Sequence, residues 1–145
     1  MMIYLDASVV FSLHFRDANT PAALALIGTA DAPLAISSLC EVETVNAFGL
    51  RVFRKEMSPV NMANAVRDLN ADIRSGVLQR CSFPESAFLR AKSLAQSLTP
   101  TIGVRTSDLL HVAAALELGA EGFFSFDQKQ AKAAQAEGLR INMVA

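Results

Sequence analysis

Apolar residues in this chain fall into short runs separated by longer stretches with helical spacing. Met2–Leu5 reads as a short buried strand that stops at Asp6. In "NTPAALALIGTA", Thr20 stands as N-cap and Pro21 at the first helical position of an Ala/Leu-rich helix. Pro33–Ser37 reads as a second apolar strand. The following "SSLCEVETVNAFGLRVFRKEM" reads as a long helix. Ser38 and Glu41 have capping-box spacing there, and Leu39, Val42, Val45 and Leu50 or Phe53 suggest its apolar face.

Ser58-Pro59 opens another helix, with Met62, Val66, Leu69 and Ile73 on one stripe and a stop near Gly76. "VLQRCSF" admits a short strand on pattern alone. Pro84–Leu98 reads as a helix with Phe88, Ala91, Ala95 and Leu98 aligned, and "TPTIGV" as a loop. "RTSDLLHVAAALELGA" is a helix stopped by Gly119, "GFFSFD" a strand ending in an acid, "QKQAKAAQAEG" a helix stopped by Gly138, and "LRINMV" a last strand. Short apolar strands alternating with helices predict a three-layer α/β/α sandwich around a mostly parallel sheet. With no repeat, linker or low-complexity tract, residues 1–145 are expected to form one domain.

Composition narrows the class. Hydrophobic residues make up 52% and charged residues 19%, which excludes a disordered chain. No apolar run reaches the about 20 residues that a membrane helix requires. Asp6 interrupts the only apolar start that resembles a signal sequence, so a cytoplasmic protein without a membrane partner is expected. Cys40 and Cys81 lie far apart among apolar residues and are expected to be buried free thiols. Two histidines are too few for a His-based metal site.

Four acids stand where a parallel sheet builds its sites, beyond the carboxyl ends of its strands. Asp6 follows the first strand and Asp127 the "FFSF" strand; Glu43 lies just over a turn into the helix after "LAIS"; Asp108 sits in the first turn of the "TSDLLHV" helix. Singly, Asp108 and Asp127 are ordinary capping residues, and Glu41 is a capping-box partner. Asp6 and Glu43 are embedded among apolar positions, and no lysine or arginine lies within four positions of either. Carboxylates so placed need a cation, and oxygen ligands suit Mg²⁺ or Mn²⁺. With those four set aside, 13 basic residues face 10 acidic ones, a balance of +3 that permits a phosphate-backbone partner.

"IYLDAS", "ISSLCEVE" and "RTSDLLHVAAALELGAEGFFSFDQKQAKAAQAEGL" together resemble the PIN-domain family, in its VapC-like toxin group. The most specific part is the D-x-x-H-x-A-x-A helix followed by a strand, S/T-x-D and a Gly-stopped helix. The resemblance implies Mg²⁺- or Mn²⁺-dependent cleavage of RNA, a cognate antitoxin blocking the acidic cleft with a basic side chain, and a homodimer. By position it assigns the catalytic and metal-binding acids to Asp6, Glu43, Asp108 and Asp127, with Ser8 and Ser125 in support. Ser125 stands where threonine is more usual in the family. His111, three residues after Asp108, is expected to be a structural core histidine, and Arg105 a solvated one. Arg51, Arg54 and Lys55 are either a phosphate-contacting rim or an ordinary solvated helix end.

The expected activity is a metal-dependent endoribonuclease, the toxin of a type II toxin–antitoxin pair. The alternative is a PIN-like module that grips RNA or protein without cutting. An aspartyl-phosphate mechanism is disfavoured, because such enzymes need a second acid two residues after the nucleophile and "DAS" offers Ser8. A receiver-type phosphorylation domain is disfavoured too, for want of paired acids after the first strand.

Overall fold

In the computed structural model, which describes residues 1–142, the short apolar runs become short strands: β1 (Ile3–Leu5), β2 (Leu34–Ser37), β3 (Gln79–Cys81), β4 (Gly122–Phe124) and β5 (Arg140–Ile141). They form one all-parallel sheet in the order β3-β2-β1-β4-β5. Eight helices connect and cover them: α1 (Ala7–His14), α2 (Thr20–Thr29), α3 (Ser38–Phe53), α4 (Pro59–Ser75), α5 (Ser86–Ser97), α6 (Thr99–Ile102), α7 (Thr106–Glu117) and α8 (Gln128–Ala136). Residues 143 and 144, the end of the expected last strand, lie outside the described residues.

Alternation along the strands divides the core in two. Tyr4 and Phe123 point to the face covered by α5, α7 and α8, where Ala91, Leu94, Val112, Ala113 and Ala134 pack. Ile3, Leu5, Ile36 and Phe124 point to the opposite face and meet Val9, Val10, Cys40 and Leu69 from α1, α3 and α4. The three-layer α/β/α arrangement expected from the sequence is therefore present. Among the described residues no helix is long and apolar enough to cross a membrane.

Strand order places the switch point at β1, which pairs with β2 on one side and β4 on the other, Leu5 opposite Phe124. Crevices at such points open beyond the carboxyl ends of the strands. Asp6 stands at this end of β1.

Several local expectations need correction. Asp6 leads directly into α1, a helix the apolar pattern of "ASVVFSLH" left unseen; its side chain caps that helix by accepting from the Val9 amide at 3.1 Å. The N-cap of α3 is Ser37, which accepts from the Cys40 amide, so Ser38 and Glu41 form no capping box. Ser38 accepts from the Phe83 amide instead, and Glu41 pairs with Arg80. The buried stripe of α3 is Cys40, Thr44 and Phe48, while Val42, Leu50 and Phe53 are exposed. Along α5 the stripe is Ala87, Ala91 and Leu94, with Phe88 exposed. The expected "TPTIGV" loop contains the single turn α6, and α2 takes Asn19 rather than Thr20 as its N-cap residue. Both cysteines are free, but only Cys40 is buried; Cys81 sits half-buried on edge strand β3.

Gly76 ends α4 in the left-handed conformation at φ +84°, where a side chain is strained, whereas Gly28 lies inside α2 with open space around it. Gly76→Ala is expected to lower the unfolding free energy by about 1 kcal/mol and Gly28→Ala to raise it by about 0.5 kcal/mol. Both changes read as shifts of the urea midpoint at constant slope.

Candidate active site

Asp6 is 3% exposed, yet every oxygen of its carboxylate is engaged. Oδ1 accepts from the Ser8 hydroxyl at 2.6 Å as well as from the Val9 amide, and Oδ2 accepts from the Ser125 hydroxyl at 2.5 Å. Its backbone amide donates to the Phe124 carbonyl, tying the ends of β1 and β4 together. Ser8 also accepts from the Phe126 amide at 3.1 Å, so both serines belong to the segment joining Asp6 to the loop after β4.

Ser125 is fixed in turn by two residues that the sequence did not single out. The Asn142 side-chain amide accepts from the Ser125 amide and donates to its carbonyl, both at 3.0 Å, extending the β4–β5 pairing by a side-chain rung. Gln130, 1% exposed, places Oε1 at 3.0 Å from the Ser125 hydroxyl and Nε2 at 3.5 Å from an Asp108 carboxylate oxygen. Its backbone amide donates to Asp127 at 2.9 Å, and Asp127 thereby caps α8. A signal for Gln130 was present, since D-x-x-Q is the spacing of a capping box. Its side chain does not reach back to the N-cap amide, which Ser125 receives instead at 2.9 Å. Asn142 carried no such signal, and its φ of +51° is a conformation that asparagine tolerates better than most residues.

Glu43 projects from the second turn of α3, with its side chain 31% exposed, and accepts at Oε2 from His111 Nε2 at 2.9 Å. The expected core position of His111 holds, at 1% exposure, but its ring is not an inert filler, because it reaches one of the four acids directly. Asp108 is half-buried in the first turn of α7 and Asp127 is exposed at the start of α8. Arg105 is exposed, as expected.

Asp108 feels the other three acids. Burial pushes the Asp108 carboxyl above its ordinary value, and the negative charge of Asp127, then those of Asp6 and Glu43, adds to the shift, while His111 opposes it. Burial also raises the Asp6 carboxyl, against the lowering effect of hydrogen bonds from Ser125, Ser8 and the Val9 amide. Among the described residues, no lysine or arginine forms an ion pair with any of the four. The donor set is all carboxylate oxygen, the chemistry that suits a hard divalent cation rather than zinc or copper. Among the described residues no group of three or more His, Cys, Asp or Glu is yet gathered closely enough to enclose an ion. The acids therefore surround a region of unbalanced negative charge without converging on a single point.

The PIN domain family model matches residues 3–136. VapC20 of Mycobacterium tuberculosis, described as a sarcin-ricin loop cleaving toxin, is 18% identical with a TM-score of 0.65, covering 94% of this chain and 95% of its own. VapBC-1 of nontypeable Haemophilus influenzae is 15% identical with a TM-score of 0.67, covering 97% and 96%. FitAcB of Neisseria gonorrhoeae is 14% identical with a TM-score of 0.66, covering 97% and 96%. At these identities the likeness is one of fold. No curated protein sequence matches the chain.

A carboxyl whose folded-state pKa is raised stabilises the fold fully below its unfolded pKa, and that contribution is lost as pH rises through the folded value. In Asp6→Asn, Oδ1 keeps the Ser8 and Val9 donors and the new amide donates to Ser125, whose hydroxyl proton then turns to Gln130, so each hydrogen bond that holds Asp6 finds a counterpart. Metal-free Asp6→Asn is accordingly expected to be more stable than the wild type at neutral pH by about 1 kcal/mol. The gain should shrink toward zero as pH falls through the carboxylate range, as measured by thermal melts in EDTA across pH.

Proposed function

The chain belongs to the PIN domain family, and on that premise we propose that it is a metal-dependent endoribonuclease, the toxin of a type II toxin–antitoxin pair. The observation that carries this reading is the buried Asp6 at the sheet's switch point, facing Asp108, Asp127 and Glu43 with no lysine or arginine among the described residues to balance them. Asp6, Glu43, Asp108 and Asp127 would hold Mg²⁺ or Mn²⁺. Such an ion supplies Lewis acidity toward water and toward the charge that grows on a phosphodiester during hydrolysis.

The chain's own residues set the conditions for that chemistry. Ser8 and Ser125 fix both oxygens of Asp6, so this carboxylate enters the cleft pre-oriented. Gln130 links Asp108 to Ser125 and Asp127. An open groove of about 420 Å³ runs from Ser8 and Glu43, past Phe11, to Arg51 and Arg54. Arg51 lies over the Phe11 and Phe15 rings at 5.2 and 5.3 Å and is paired with Glu56, whereas Arg54 forms no ion pair among the described residues. An RNA strand following this groove would bring one phosphate to the acids and the next toward Arg54.

The named relatives VapBC-1 and VapBC2, the latter from Rickettsia felis, support a partner antitoxin by analogy. A basic antitoxin side chain entering the cleft would balance the four acids as a cation does. A homodimer in the cytoplasm belongs to the same proposal.

Antitoxin-free protein incubated with a mixed cellular RNA pool is expected to yield discrete products in Mg²⁺ or Mn²⁺ and none in EDTA. Asp6→Asn should lower the rate by roughly a hundredfold or more. Folded wild type that cuts nothing with either metal would overturn the nuclease and leave a binding module. Arg54→Ala should weaken RNA binding several-fold whatever the sequence, and reduce the slope of log affinity against log salt by about 1.

A further inference from the structure

His111 is enclosed by α7, β1 and α3, and both of its ring nitrogens are used. Nδ1 lies 2.7 Å from the Tyr4 hydroxyl and Nε2 lies 2.9 Å from Glu43 Oε2. The Tyr4 hydroxyl lies 2.7 Å from the Ser37 hydroxyl, which accepts from the Cys40 amide at 3.2 Å as the N-cap of α3. Glu43 is on that same helix. The bonds thus leave α3 at its first turn, cross β1 and α7, and return to α3 one turn later.

Donor counting gives the chain a direction. An ionised Glu43 only accepts, so Nε2 carries the hydrogen. In the Nε2–H tautomer Nδ1 accepts, which makes Tyr4 the donor to it. The Tyr4 oxygen takes the one proton that Ser37 has to give. Ser37, Tyr4 and His111 then each give once and receive once, and Glu43 receives at the end. Among the described residues the buried side-chain polar atom without a partner is Thr99 Oγ1, outside this chain. Tyr4 cannot drift, because its ring is fully buried and stacked on Phe123 at 5.5 Å and 12°.

A half-exposed glutamate on a helix otherwise samples several rotamers, and fixing such a side chain costs up to about 2 kcal/mol of entropy. We propose that His111 and Tyr4 are positioning residues for Glu43, holding it by one oxygen so that Oε1 faces the cleft ready to bind a cation. This rests on the nuclease reading above and assigns the buried histidine a role in it. Tyr4 and Ser37 fix the ring's tautomer; His111 fixes the carboxylate.

The test measures Mn²⁺ affinity of antitoxin-free protein by calorimetry, with no RNA present. Glutamine places its amide near the Nε2 position and asparagine near Nδ1. His111→Asn therefore loses the donor to Glu43 and should weaken Mn²⁺ binding about tenfold, while His111→Gln should restore it to within about threefold of wild type. Tyr4→Phe removes one hydroxyl, keeps the ring stacked, and should weaken Mn²⁺ binding about threefold to tenfold. In RNA cleavage at a fixed Mn²⁺ concentration below saturation, these losses should fall on kcat, with KM for RNA unchanged. Nitrogen-15 NMR should show a single Nε2–H tautomer for His111 in the wild type and a mixture in Tyr4→Phe.

Wild-type Mn²⁺ affinity in both folded His111→Asn and Tyr4→Phe would overturn the proposal while leaving the nuclease intact. If His111→Asn does not fold, Tyr4→Phe alone decides. A wild type that binds Mn²⁺ with these variant effects but cuts no RNA would remove the nuclease and keep the positioning role. If the wild type binds no Mn²⁺, the metal site fails; the tautomer spectrum then decides whether Glu43 is held, and an unchanged spectrum in Tyr4→Phe would overturn that as well.

Discussion

A carboxylate buried at the end of the central strand is the constraint around which this fold is arranged. Taking Asp6 out of water is unfavourable by several kcal/mol unless hydrogen bonds replace its hydration. Three donors do so, and they come from two parts of the chain: the Ser8 hydroxyl and the Val9 amide in the first turn of α1, and the Ser125 hydroxyl beyond β4. Satisfying Asp6 therefore sets where α1 starts and how β4 ends beside β1. The Asp6 amide reinforces this by donating to Phe124 across the same strand ends. A residue replaced on the surface would not carry such consequences; here local capping, strand pairing and site geometry are one set of bonds.

Two hydrogen-bond systems serve the acids. One runs through Ser125 to Gln130 and Asn142, joining β4, α8 and the segment after β5. The other runs through Tyr4 and His111 to Glu43, joining β1, α7 and α3. Helix α7 serves both, because Asp108 and His111 are three residues apart and so lie on the same side of it. The helix also packs on α5, where Ala87, Ala91 and Leu94 share a core cluster with Ala113, Ala114 and Ala115. Small side chains of this kind let two helices approach closely.

Much of this was legible in the sequence because strand ends and helix starts are marked locally. Asp6 and Asp127 were placed correctly by runs of apolar residues that stop at an acid, and Ser58-Pro59 and Gly76 bracketed α4 as capping rules require. The α/β/α layering followed from alternation of element types. What escaped was tertiary. Helix α1 is apolar nearly throughout, so its period carried no contrast between faces. Val42, Leu50 and Phe53 look like a buried face of α3, yet Cys40, Thr44 and Phe48 are the buried residues, Cys40 and Phe48 packed with residues of α1 and α4. Ser38 and Glu41 matched a capping box one residue out of register. His111 was read rightly as buried, but its partners lie 107 and 68 positions away, beyond any local pattern. Gln130 and Asn142 act through contacts of the same distant kind.

The distribution of ion pairs gives the cleft its electrostatic character. Arg51, Arg80, Arg90 and Arg140 are matched with Glu56, Glu41, Glu117 and the Glu121–Asp31 pair. Exposed pairs of this kind add little stability. Their effect is on the field, because they offset charge outside the cleft, while among the described residues the four acids have His111 as their one ion-pair partner. Carboxylates bordering a shared crevice repel a polyanion as well as each other. On the nuclease reading proposed above, the field that would keep RNA out would draw in a divalent cation, whose charge would let the cleft take a phosphate. Cation and substrate would then be linked through the field. On the same proposal, a basic side chain supplied by a partner protein would satisfy the identical demand and would compete with the cation for the same negative charge.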